Sequence, residues 1–116
     1  MDKWFKEEYG FMIEVIAVSH NNNTVNHCRN GEEVGDIFHC TYGCPLSSDG
    51  QSICQKSMTV LFPVMEAVRS GGDLKNIGGD SNLSKELLCP DGVVRYRLTA
   101  RKLDGENFHT GCFYKE

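Results

Sequence analysis

Three of the six cysteines in this 116-residue chain crowd one stretch, residues 39–54, "HCTYGCPLSSDGQSIC", with His39 at its front edge. A cysteine can attack as the thiolate, ligate a soft metal or close a disulfide. Cys54 is the strongest candidate for the first role. Ser52 followed by Gln55 has the form of a capping box, the serine side chain accepting from an amide of the first turn while the glutamine reaches back. A helix begun there puts Cys54 at its second position, where the unpaired amides and the macrodipole favour a thiolate. The plain alternative is a small buried hydrophobe, because cysteine is among the most buried residue types. Cys89 stands at a strand end in "CPDG", a tight turn in its own right. Cys28 lies in a polar loop between His27 and Arg29, whose guanidinium favours a thiolate. Cys54 is therefore the candidate catalytic nucleophile, Cys28, Cys89 and Asp91 are candidate binding residues, and Cys28, Cys54 and Cys89 are the ligands if a metal is bound.

A zinc or iron site is not the favoured expectation. A tetrahedral ion wants four nitrogen or sulfur ligands. His39, Cys40, Cys44 and Cys54 supply the types, with Cys28 and Cys89 in reserve, but the spacings Cys-x3-Cys and Cys-x9-Cys are not paired short knuckles. His39 and Cys40 are neighbours on an expected strand and point to opposite faces. No dense cysteine run suggests an iron–sulfur cluster. The histidines lack the His-x-x-x-His spacing, and no Ser-His-Asp arrangement is legible. Gly71-Gly72 and Gly78-Gly79 open no phosphate-binding fingerprint and read as loop geometry. Arg95, Arg97 and Arg101 read as a solvated strand face, with an anion-binding strip as the sharper alternative.

The elements that must position these residues belong to one domain spanning the chain. Hydrophobic residues make up 40% and charged residues 24% of the sequence, an ordinary globular balance. The net charge of −4 and the scattered basic residues argue against nucleic acid as a partner. The longest apolar run is broken by Glu14, so no membrane span is expected. The first ten residues carry early acids and no apolar core of a secretory signal. A reducing cytoplasm is the expected compartment, which favours thiols over a disulfide framework.

Residues 11–19 are rich in β-branched types and read as a largely buried strand. A polar Asn/Gly-rich connection leads to a short strand over 36–42. Ile53, Ser57, Val60, Leu61, Val64, Met65 and Val68 fall on one face at helical spacing, ending at Gly71-Gly72. Pro63 should kink or split that helix. A strand to Cys89, the Asp91-Gly92 turn and a long strand over 93–102 form a hairpin, and in the long strand Val94, Tyr96, Leu98 and Ala100 share one face and Val93, Arg95, Arg97 and Thr99 the other. Residues 1–10 form a leading segment in which Trp4, Phe5 and Tyr9 could pack on the surface, and 103–116 a C-terminal extension. The order β-β-α-β-β predicts an α+β fold, an antiparallel sheet of about four strands with one Pro-kinked helix on one face.

The set "CRNGEEVGDIF", "DGQSICQKSM", "LFPVMEAVRSGG" and "CPDGVVRYRL" resembles a family of small uncharacterised prokaryotic proteins common in anaerobes. The resemblance covers roughly residues 11–100. It implies that Cys28, Cys54 and Cys89 belong to the family pattern, and that Cys40, Cys44 and Cys112 are additions of this chain. The chain departs from the pattern at Glu32 and Glu33, where many relatives carry a histidine. It also departs at Lys56, where they carry tryptophan, and at Asp73-Leu74, where they carry Pro-Trp.

Two functions follow as expectations. One is a cytoplasmic protein whose thiol site binds a small molecule or a metal, or performs thiol chemistry, in an anaerobic context. The other is a non-catalytic accessory protein with its cysteines in the core, self-associating through a strand edge as a homo-oligomer.

Overall fold

The computed structural model describes residues 6–20 and 26–103. Expectations that fall on Trp4, Phe5, Cys112 and the C-terminal extension beyond residue 103 lie outside the described residues.

Four strands form one antiparallel sheet in the order β2-β1-β4-β3. They are β1 (Tyr9–Val18), β2 (Ile37–Cys40), β3 (Ser84–Leu88) and β4 (Val94–Lys102), with the helix α1 (Met58–Arg69) between β2 and β3 in sequence. The α+β fold expected from the order of elements is the fold observed.

Alternation sets the two faces. Phe11, Ile13 and Val15 of β1, Phe38 and Cys40 of β2, and Val94, Tyr96, Leu98 and Ala100 of β4 are buried. They face the helix, whose Leu61, Val64, Met65 and Val68 close the core from the other side. The register pairs Ile13 with Phe38 on one flank and with Leu98 on the other, so like residues stack across three strands. Beyond Val15 the β1–β4 register shifts by one residue, a bulge that reorients the strand's end. The opposite face carries Arg95 and Arg97. Arg97 pairs with Glu86 at 2.6 Å and with Asp80 at 3.9 Å, and Arg95 reaches Glu86 at 3.7 Å. These two arginines are matched by acids on the same face.

The helix starts later than its capping signal implies. Ser52 is not its N-cap; it forms an isolated bridge with Leu46. From Cys54 the chain runs through tight turns, with Ser57 N–H donating to Cys54 C=O and Met58 N–H to Gln55 C=O, before α1 begins at Met58. Pro63 does not split the helix, which is continuous from Met58 to Arg69. Thr59, whose carbonyl would have received the missing N–H, lies on the solvent side, where water can satisfy it. Past Ser70, Gly72 N–H donates to Ala67 C=O at 2.8 Å and Gly71 N–H to Val68 C=O at 2.9 Å. Gly71 has φ +87°, and this pairing is a Schellman cap. A Cβ on Gly72 would stand 2.8 Å from the Ala67 oxygen. Both residues of the glycine pair thus serve the helix end.

Candidate functional site

Two of the three candidate cysteines sit in turns of the same build. In Cys28-Arg29-Asn30-Gly31, the Gly31 N–H donates to the Cys28 carbonyl at 3.1 Å; in Cys89-Pro90-Asp91-Gly92, the Gly92 N–H donates to the Cys89 carbonyl at 2.8 Å. The glycines have φ +69° and +74°, and nothing lies within 4 Å of where a Cβ would stand. Backbone conformation, rather than space, requires glycine at both positions. In each turn the residue after the glycine points its N–H back at the cysteine sulfur. Glu32 N–H reaches Cys28 Sγ at 3.4 Å, and Val93 and Val94 N–H reach Cys89 Sγ at 3.4 and 3.3 Å. Each sulfur thus accepts from the backbone of its own turn, which fixes where the thiol sits.

Glu32 joins Cys54 to this arrangement. Its side chain is fully buried, the residue being 0% exposed. Oε2 accepts from the Cys54 backbone N–H and from Asn30 Nδ2, both at 2.8 Å, and Oε1 accepts from the Tyr96 hydroxyl at 2.5 Å. No lysine, arginine or histidine among the described residues pairs with this carboxylate. A buried carboxylate without a counter-ion depends on its hydrogen bonds, and Glu32 has three. The Tyr96 phenol has one proton, committed to Glu32, so the Ser57 hydroxyl 2.7 Å away is the donor to the phenol oxygen. Ser57 precedes α1 and caps it with no side-chain bond, because its hydroxyl is used here. Burial, then the bond to Glu32, push the Tyr96 phenol far above its ordinary value of 10.0, with Ser57 opposing and the nearby Glu32 and Cys54 charges adding. Tyr96 stays a protonated donor.

Asp91 ties the surface of the site together. It accepts from Lys56 Nζ at 2.7 Å and lies 3.6 Å from Arg29 Nε. The hydrogen bond from Lys56, joined by the charges of Lys56 and Arg29, holds its carboxyl below the usual aspartate value. The turns of Cys28 and Cys89 and the segment after Cys54 are thereby linked through one carboxylate at the surface. Glu32 and Tyr96 link the Cys28 turn, Cys54 and β4 from below.

Cys28 and Cys54 are half-buried thiols and Cys89 is a buried one. Cys54 does not occupy the second position of a helix. Its N–H is not an unpaired first-turn amide, because Glu32 accepts it. Cys40 faces the core while His39 lies on the other face of β2, as alternation requires. Cys44 donates to the Pro45 carbonyl at 3.7 Å. Among the described residues no group of three or more His, Cys, Asp or Glu side chains is arranged to hold a metal ion, so Cys28, Cys54 and Cys89 do not form a ready-made three-ligand cage. Glu32, Tyr96, Ser57 and Lys56 are the site residues that spacing alone did not disclose. Cys-x-x-Gly recurs at Cys28, Cys40 and Cys89, each with a positive-φ glycine, so that spacing alone does not single out the Cys28 and Cys89 turns. Compared with known protein families, curated proteins and solved structures, the chain matches none.

Proposed function

We propose that this is a thiol-site protein of the reducing cytoplasm, which binds a small ligand or a metal, or reacts with an electrophile, through Cys54, Cys28 and Cys89. The observation that carries the reading is the convergence of the three cysteine-bearing segments on Glu32 and Asp91. Cys54 is the nucleophile or ligand, and Cys28, Cys89 and Asp91 complete the binding set. Glu32 and Tyr96 fix the backbone of Cys54, so that its position is set by a buried network rather than by a loop's own preference. The same three cysteines are those that the resemblance to small prokaryotic proteins of anaerobes assigns to the family pattern. We take that kinship, and the anaerobic setting it implies, as part of the proposal.

The test is site-resolved alkylation of the native protein by iodoacetamide, with elemental analysis of an anaerobic preparation. The thiolate displaces iodide, a C–S bond replacing the C–I bond. Cys28 and Cys54 are expected to alkylate in the folded protein far faster than buried Cys40. Protection of both until global unfolding, with no metal co-purifying, would overturn the reading.

A second reading is an interaction or accessory protein with structural cysteines. It is favoured by an apolar pocket of about 270 Å³ that runs along α1, lined by Tyr42, Cys44, Met58, Phe62, Met65 and Arg69. Tyr42 and Phe62 are 45% and 46% exposed there. Self-association through a strand edge belongs to this reading. Part of the β2 edge is already occupied by Leu46, bonded to His39 in both directions, which leaves β3, with its Lys85 and Glu86, as the edge to test. Sedimentation of the wild type against Phe62→Ser, Tyr42→Ser and Lys85→Pro separates the two surfaces.

A further inference from the structure

We propose that Asn30 is a deamidation site which the fold holds in check, and that its conversion to aspartate breaks the hold of the buried Glu32 carboxylate on Cys54. Asn30-Gly31 is the one Asn-Gly step in the sequence. Asparagine is among the thermolabile residues, and glycine, with no Cβ, lets its backbone nitrogen approach the preceding side-chain amide closely. That nitrogen loses its proton to hydroxide and attacks Asn30 Cγ. The new C–N bond replaces the bond to Nδ2, which takes a proton from solvent and leaves as ammonia. Water then opens the cyclic imide at either carbonyl, giving aspartate or its β-linked isomer. Asparagine and water are consumed, aspartate and ammonia are produced, and nothing is oxidised or reduced.

Both partners of the attack are occupied in the folded chain. Gly31 N–H donates to the Cys28 carbonyl at 3.1 Å. The Asn30 amide uses its two donors on Glu32 Oε2 at 2.8 Å and on the Ser52 carbonyl at 3.2 Å. These bonds must open before the nitrogen and Cγ can meet. The bond to Ser52 joins residues 22 apart in sequence, so the unfolded chain lacks it. The same bonds decide what conversion does. Replacing Nδ2 by oxygen turns a donor into an acceptor. A second carboxylate then stands where Nδ2 lies, 2.8 Å from an oxygen of Glu32, a residue 0% exposed. Two carboxylates so close cannot both stay ionised and keep their places. Glu32 Oε2 also accepts from the Cys54 N–H at 2.8 Å, so displacing it frees the Cys54 backbone. Only that hydrogen bond is needed for this, and no reaction of a thiol.

The experiment incubates the full chain under reductant at mildly alkaline pH, native and in guanidinium, and follows each asparagine by peptide mass spectrometry. Asn30 is expected to convert first among the asparagines in guanidinium, and at least about tenfold more slowly in the native protein. Hydrogen exchange at the Cys54 amide then reads the anchor. In Asn30→Asp that amide is expected to exchange at least about tenfold faster than in the wild type. Asn30→Ser, which loses the donors without adding a charge, should speed it less. If Asn30→Asp does not fold, the same amide in wild-type protein aged in the native state decides the matter. Equal conversion of Asn30 in native and unfolded chains would overturn the guard. A Cys54 amide as protected in the aspartate form as in the wild type would overturn the loss of the anchor. Equal exchange in Asn30→Asp and Asn30→Ser would overturn the repulsion between carboxylates.

Discussion

Glu32 is the residue on which the site turns, and spacing gave little reason to single it out. Acidic residues beside glycine in a polar loop are ordinarily solvated, and only the fold shows this one buried beneath Tyr96 and Cys54. Tyr96 was legible as a core position on the inward face of β4, but not as the donor to a carboxylate 64 residues away in sequence. Because that carboxylate has no counter-ion among the described residues, losing one donor is costly. Tyr96→Phe is expected to destabilise the protein by about 2–3 kcal/mol, the cost of an unsatisfied buried charged acceptor. Combining it with Glu32→Gln should cost less than the sum of the two single changes, because they share one bond. Urea unfolding of the four proteins gives both values. An additive result would mean that the Tyr96–Glu32 bond does not couple them.

Asp91 was placed correctly in a turn and named for binding, while its ion-pair partners were not foreseen, since Lys56 and Arg29 are 35 and 62 residues away in sequence. Its folded value is depressed, so its contribution is fully present above the 3.8 of an ordinary aspartate and is lost as pH falls through the lower folded value. The thermal stability advantage of the wild type over Asp91→Asn should therefore shrink on acidification below that point. An advantage that stays constant to lower pH would show that the carboxylate's charge is not what links the turns.

At the scale of elements, periodicity was a good guide where burial is one-sided. The alternation of Val94, Tyr96, Leu98 and Ala100 and the helical spacing of Leu61, Val64, Met65 and Val68 both correspond to buried faces. The helix start was misread for a physical reason: Ser52-x-x-Gln55 satisfies the capping pattern, but Ser52 is engaged with Leu46, and the donors ahead of α1 are used in tight turns. Pro63 was expected to kink or split the helix. It is tolerated within one continuous helix, and Thr59, whose carbonyl it leaves without an N–H, is an exposed residue. The two cysteine turns are short elements whose need for glycine is conformational. Gly92→Ala should cost about 1–2 kcal/mol through its positive φ, although nothing crowds the new methyl group. Chemical denaturation measures this directly, and a neutral effect would mean that the turn relaxes to another conformation.

For the whole molecule, one sheet and one helix bury a single core, with α1 covering the inner sheet face and the cysteine turns gathered near the beginning of the helix. Composition and element order were enough to anticipate that architecture, because β1, β2, β4 and the helix each bury one apolar face, although no residue of β3 is fully buried. They could not anticipate which loops meet, since the bonds that join them span 22 to 64 residues of sequence. Leu61, 0% exposed at the centre of the helix–sheet contact, reports on this core. Leu61→Ala should cost about 2–5 kcal/mol in cooperative unfolding.

The central claim is that Cys28, Cys54 and Cys89, distant in sequence, form one site. A short bifunctional bromomethyl reagent, which bridges two thiols by displacing two bromides, tests it on the native wild-type protein, with peptide mass spectrometry identifying the linked pair. The account predicts bridges among Cys28, Cys54 and Cys89, and their loss when Glu32→Gln and Asp91→Asn together release the segments. Single adducts only, or bridges confined to Cys40 and Cys44, would contradict it.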